Sequence, residues 1–200
     1  MGFFSKVFGA IRAPSVKGDP DRVWWSREVC NAAIVQDLRA ARDAGAGVLV
    51  LAHFETTLKG ITGAAGGDGE SIEGTCMLVR GVLERRFDHA VQLVLVAERH
   101  PLRSEDDSIV GWARAQFPEA KVVFYVALDD PLLSLCGGER TRDLLKKLGM
   151  KETEPIQHPA IDRALRNAQD KVAGKAGVAT PRATSAADWL GQIGLGPASQ

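Results

Sequence analysis

Apolar residues recur at helical spacing in some stretches of this chain and gather into short unbroken runs in others. Phe4, Val7, Phe8 and Ile11 recur every three or four residues beside Lys6 and Arg12, which predicts a short amphipathic helix over 1–13. Pro14, Gly18 and Pro20 then read as a linker. Ser26 is placed as an N-cap with Glu28 in the first turn of a second helix, whose apolar positions are Val29, Ala33, Ile34 and Leu38. Gly45 and Gly47 stop that helix, and the run Val48 to Ala52 predicts a buried strand.

Downstream, His53 to Thr57 forms a strand-to-helix turn in which Thr56 or Thr57 is available as a cap. The glycine-rich stretch from Gly63 to Gly69 reads as a surface loop, and 75–87 as a helix more than a strand. Strands are expected over 91–96 and 122–127, with a helix over 106–116 between them. Two amphipathic helices follow, over 140–148 (closed by Gly149) and 159–172. Beyond Gly174 the composition turns to Ala, Gly, Thr, Ser and Pro, a loose tail over 173–200 with one helix at 186–193, capped by Ser185 and ended by Gly194. Apolar strands separated by helices predict an α/β fold with a mostly parallel sheet covered on both faces. A fold of this nucleotide-binding type does not by itself give a function.

Composition narrows the classes. The chain has 200 residues, enough for one domain with a real core, and 45% of them are apolar, too many for a disordered chain. The 25 basic and 25 acidic side chains balance, so no global field steers it toward nucleic acid. Its apolar runs fall far short of the roughly 20 residues of a membrane span. Cys30, Cys76 and Cys136 are scattered singly, and four histidines without close spacing give no zinc site, so no metal is expected. With no secretory signal, the reading is reduced thiols in a cytoplasmic protein.

Several blocks carry more than periodicity. Ala97-Glu98-Arg99-His100 is followed by Phe124 to Leu133 (FYVALDDPLL), then Leu148-Gly149-Met150, Glu154 to Pro159 (EPIQHP) and Arg163 to Val172 (RALRNAQDKV). In this order they resemble the second, RecA-like motor domain of the SecA protein-export ATPase family. There a Thr-Glu-Arg-His turn leads through the last helicase motif to a Phe-Tyr-Leu-Ser strand, and Leu-Gly-Met, Pro-Ile-Glu-His and Asn-Ala-Gln-x-Lys-Val blocks come next. Asp21 to Ser26 with Ala33 to Asp37 is similar to the segment entering that domain, and Ser5 to Gly9 to the family's amphipathic N-terminus. The resemblance covers 20–172 with its middle third unmatched, and implies a RecA-like three-layer domain.

The departures from the family pattern matter equally. Motors of this family hydrolyse ATP between two such domains, and neither a phosphate-binding Gly-x-x-x-x-Gly-Lys-Thr loop nor the first domain is found here. In the gap-free alignment Ser108 takes a glutamine position, and Val110, Trp112 and Ala115 take three arginine positions, while Gly111 and Gln116 remain. A neutral side chain cannot replace a guanidinium that neutralises transition-state phosphate charge. The expectation is a non-catalytic pseudo-ATPase domain, not an enzyme and without bound ATP, acting as an accessory protein-binding module in export. The alternative is a residual nucleotide binder completing an ATPase site in trans. Vestigial nucleotide contacts are assigned to His53, Arg99, Gly111 and Gln116. Contacts to a membrane or partner are assigned to Phe4, Val7, Phe8, Ile11 and Trp189. The partners implied are SecA or the Sec translocon and an anionic membrane surface, with a cytoplasmic protein peripheral at the inner membrane. The remaining polar groups read as structural: Glu98 with His100 as a strand-end brace, Asp129 and Asp130 as caps before Pro131, and His158 as a turn.

Overall fold

The computed structural model describes residues 21–66, 75–137, 142–143, 146–147, 151–152, 154–156, 159–177 and 181–196. Within them β1 (Arg22–Trp24), α1 (Arg27–Asp43), β2 (Val48–Ala52), α2 (Glu55–Ala65), β3 (Cys76–Leu78) and α3 (Val79–Val82) come first. Then follow β4 (Leu93–Val96), α4 (Arg103–Gln116), β5 (Lys121–Ala127), α5 (Pro131–Ser134), α6 (Pro159–Ala176) and α7 (Ala186–Gln192). The five strands form one parallel sheet in the order β1-β5-β4-β2-β3. The expected amphipathic helix at 1–13, most of the helix at 140–148, and His158 lie outside the described residues.

The alternation of side chains along each strand builds the layers. Val48, Val50 and Ala52 of β2 face α1 and α2, joined by Leu95 of β4 and Tyr125 of β5. Leu49 and Leu51 face the other way, onto α3 and α4, with Val94, Val96 and Phe124. A third cluster gathers Val23, Trp25, Val126 and Leu128 against α5, α6 and α7. Both faces of the sheet are covered, as its near-continuous apolar strands require. Beyond β1 the Ile156 amide donates to the Val23 carbonyl at 2.7 Å in an antiparallel bridge, so this edge of the sheet is also covered.

Local chemistry explains most boundaries. Ser26 caps α1 by accepting the Val29 amide at 3.3 Å, and Gly45 turns the chain after it at φ 74°. Gly47 passes so close to the next turn that a Cβ there would stand 2.0 Å from the Ala90 carbonyl oxygen. Several expectations are corrected. The loop expected from Gly63 is overturned at its start, because α2 runs to Ala65 and Gly63 lies inside it, while 67–69 lie outside the described residues. The helix preferred over 75–87 is β3 followed by the single turn α3. α4 starts three residues earlier, at Arg103, and α6 continues past Gly174 to Ala176. In the tail, Ser185 accepts the Asp188 amide at 3.0 Å to open α7, which ends at Gln192 before Gly194 (φ 73°). Trp189 and Leu190 are only 2% and 1% exposed, so this part of the tail belongs to the core and Trp189 is a packing residue, not a free contact surface.

Candidate functional site at the carboxyl end of the sheet

From β2 the chain crosses through α2 to β3 on one side, and from β4 through α4 to β5 on the other. α2 and α4 pack on opposite faces. The adjacent carboxyl ends of β2 and β4 therefore bound a crevice where chain direction reverses, the position at which open parallel sheets bind ligands. His53 follows β2, and Glu98, Arg99 and His100 follow β4.

The crevice is occupied by the chain's own side chains. Glu98, 5% exposed, accepts the His53 and Phe54 amides at 3.1 and 3.0 Å and the Thr57 hydroxyl at 2.6 Å. It thus takes the donors at the start of α2 that in such folds are offered to an anion. Neither Thr56 nor Thr57 caps this helix, contrary to the sequence expectation: the N-cap is Phe54. Burial pushes the Glu98 carboxyl above its ordinary range, opposed by Arg27 and by the Thr57 hydroxyl. Asp129 accepts the Arg27 amide at 2.8 Å, and Asp130 takes the Arg27 guanidinium through both oxygens at 2.5 and 2.6 Å. These two acids hold the start of α1 to the end of β5. Asp130 does stand at the N-cap of α5, as expected, but its side chain makes no cap bond there.

A second polar knot centres on Asp106, 1% exposed. One oxygen meets His53 Nε2 at 3.2 Å and the His100 amide at 2.9 Å, and the other meets Gln169 Nε2 at 2.8 Å and Arg99 Nη1 at 3.4 Å. Gln169 also donates to the His100 carbonyl at 2.9 Å. Arg99 completes the knot with a two-pronged bond to Asp21, and its guanidinium lies 3.6 Å from the Phe124 ring centroid. Burial would raise the Asp106 carboxyl, but His53, Arg99 and the His100 amide together hold it below the usual carboxylate range. His100 accepts the Leu102 amide at Nδ1 (3.0 Å), and burial, with His53 beside it, lowers its pKa to about 3. Burial pushes the Cys30 thiol, beside Arg27, up to about 12, and that of Cys76 at the start of β3 to about 11, which disfavours the reactive thiolate.

Of the residues assigned from sequence, His53 and Arg99 meet at Asp106, where Arg99 is committed to two carboxylates. Gly111 and Gln116 lie exposed along α4 and toward its far end, away from this knot. Phe4, Val7, Phe8 and Ile11 are outside the described residues. Val110 is buried in the core, Trp112 packs against Phe87 and Phe117, and Ala115 is exposed. Sequence reasoning did not single out Arg27, Asp106 and Gln169 as site residues. Gln169 sat in a block already quoted, but only the fold brings that block onto Glu98-Arg99-His100.

Two clefts open beside the knot. One, of about 200 Å³, is lined by Arg27, Thr57, Glu98, Asp129, Asp130 and Ser185 among others. The second, of about 390 Å³, has Phe54, Arg80, His100, Arg182 and Trp189 in its wall. Among the described residues no group of three His, Cys, Asp or Glu gathers to hold a metal, and no helix is long and apolar enough to cross a membrane.

Fold and site together define a RecA-like α/β domain whose switch-point crevice is filled from within. No family model matches the chain. Curated proteins similar to it include the protein translocase subunit SecA of Anaeromyxobacter sp. (strain Fw109-5), 36% identical over 107 residues, which cover 52% of this chain and 11% of that protein. The same subunit of Maridesulfovibrio salexigens is 29% identical over 175 residues, covering 86% of this chain and 21% of its own length. That of Dechloromonas aromatica (strain RCB) is 43% identical over 79 residues, 40% of this chain and 9% of the relative. The chain thus spans about a fifth or less of these relatives. The matches support a SecA-like relationship.

Proposed function

We propose that the chain is a degenerate form of SecA's second motor domain that binds a protein partner in translocation and does not hydrolyse ATP. Glu98 engages the amides of His53 and Phe54 and the Thr57 hydroxyl, but the family's Thr-Glu-Arg-His turn has the same glutamate, so these bonds do not separate the chain from active motors. The observation that carries this reading is the uncharged Val110, Trp112 and Ala115 at positions where the resemblance expects arginines. Without guanidinium groups there, charge developing on a transferred phosphoryl group has no counter-ion from this domain. The partner is SecA or the Sec translocon, and Phe4, Val7, Phe8 and Ile11 contact an anionic membrane surface.

Calorimetric titration with ATP and with ADP, each with Mg²⁺, tests the first half. No binding up to millimolar nucleotide is expected, and micromolar binding would restore the nucleotide-binding reading. For the second half, the purified chain is titrated against purified SecA and against translocon reconstituted in anionic vesicles. Saturable binding to one of them is expected; absence of binding to both defeats the export assignment.

A further inference from the structure

The two clefts at the carboxyl edge of the sheet differ in chemistry. The smaller one mixes charges, with Glu98, Asp129 and Asp130 beside Arg27 and Arg99. The larger is lined by His53, Phe54, Arg80, His100, Arg182 and Trp189, with Pro181 and Ala183, and no acidic side chain is among them. Its two guanidinium groups come from different walls: Arg80 from α3, and Arg182 from the segment that leads into α7. We infer that this cleft is a binding site for a small oxyanion, phosphate or carboxylate, clasped between Arg80 and Arg182.

Three features support the assignment. The Arg182 guanidinium has no carboxylate partner among the described residues, and its backbone carbonyl is held by Gln192 Nε2 at 2.9 Å. Arg80 pairs with Glu55 at 2.5 Å, but the two side chains are 68% and 37% exposed. A pair so open to water is worth little, and an incoming anion can compete for that arginine. His100 supplies a neutral donor. Because its Nδ1 accepts the Leu102 amide, the neutral ring carries its proton on Nε2, which has no protein acceptor among the described residues. The low pKa of His100 keeps that donor neutral over the working range of pH. Two forked cations and one N–H match a tetrahedral or planar oxyanion, which accepts several charge-assisted bonds at once.

The site also has a mechanical consequence. Within residues 181–196 most side-chain hydrogen bonds are local: Ser185 accepts the Asp188 amide, and Gln192 donates to Asp188 and to the Arg182 carbonyl. The Thr56 amide and hydroxyl hold this segment to α2 through the Thr184 carbonyl, both at 3.1 Å, and Trp189 and Leu190 pack into the core. An anion spanning Arg182 and Arg80 adds a tie between this segment and the body of the domain.

The test uses the full chain and two probes, inorganic phosphate and citrate, titrated at constant ionic strength by calorimetry. Amide hydrogen exchange of 186–192 is followed in parallel. One saturable site is expected for at least one probe, with slower exchange across α7 when it is filled. Which probe binds more tightly separates a phosphate ligand from a carboxylate one. Arg182→Ala, on an exposed side chain, should weaken binding by about tenfold or more. Lys121→Ala, which removes the same charge from the opposite end of the sheet, should leave binding unchanged. No binding of either probe up to about 10 mM, or equal loss in both variants, overturns the inference. This site is kept distinct from the non-catalytic reading by titrating ATP against wild type and Arg182→Ala. ATP binding that the variant abolishes belongs to this cleft, whereas binding that survives it counts against the non-catalytic reading alone.

Discussion

Glu98 shows how a single side chain can hold the start of a helix from a distant segment. Its two oxygens serve three donors at a buried position. Glu98→Ala leaves the His53 and Phe54 amides buried without acceptors. That should cost about 2–4 kcal/mol, read from urea unfolding with an unchanged slope. Glu98→Gln, which keeps one carbonyl acceptor, should cost about half as much. A loss below about 0.5 kcal/mol for the alanine variant would mean that water replaces the carboxylate. None of this was legible locally. The sequence suggested Thr56 or Thr57 as the cap because they stand beside the helix start, whereas the N-cap is Phe54 and the acceptor for the first amides arrives from beyond β4, more than forty residues away. Asp129 and Asp130 are legible only in part: Asp130 takes the N-cap position before Pro131, yet the carboxylates of both serve α1 through Arg27. Hydrogen bonds between distant segments leave no period in the sequence.

Among the elements, legibility followed length. α1, β2, β4 and β5 could be read because each has a long helical period or an unbroken apolar run. β1, β3 and α3 have three, three and four residues, too few to show a period, and they went unseen or were misread. Glycine was ambiguous for a different reason: its role depends on neighbours in space. Gly47→Ala should destabilise by about 2–3 kcal/mol, since a Cβ there meets the Ala90 carbonyl. Gly63→Ala, inside α2 with open space around it, should stabilise by up to about 1 kcal/mol. Thermal melts of the two variants should move in opposite directions, and a shift in the same direction would contradict the placement of Gly63 in a helix. α7 was correctly placed from Ser185 and Gly194, but its composition suggested a loose tail. The burial of Trp189 predicts that Trp189→Ala costs about 3–5 kcal/mol. A near-neutral result in the same unfolding experiment would return Trp189 to the role of an exposed contact.

For the whole molecule, buried ionisable groups set the dependence of stability on pH, and they pull in both directions. His100 has a folded pKa of about 3 against about 6.5 unfolded. The unfolded chain binds that proton more readily, so stability present above about pH 6.5 is lost as pH falls toward 3. Asp106, held below its ordinary value, adds a loss of the same sign at lower pH. Glu98, Asp130 and Asp21 are raised by burial and act oppositely, since acid relieves the cost of their charge. The difference between wild type and His100→Asn isolates the imidazole, because asparagine retains an acceptor for the Leu102 amide. The variant should lose less stability than wild type between pH 6.5 and 4 in urea titrations; parallel curves would show that the ring titrates normally in the fold.

The juxtaposition of a mixed-charge and a basic cleft on one edge has a further consequence. A chain whose formal charges sum to zero still presents a short-range dipole there, from Asp129 on one side to Arg182 on the other, since Asp130 is paired with Arg27 and Arg80 with Glu55. A uniformly charged surface would be attracted by one half and repelled by the other, and so gains little by docking there. A partner with paired opposite charges gains from both halves in only one of its two orientations. The edge therefore selects the direction of approach, and added salt should blunt that selection before it abolishes contact.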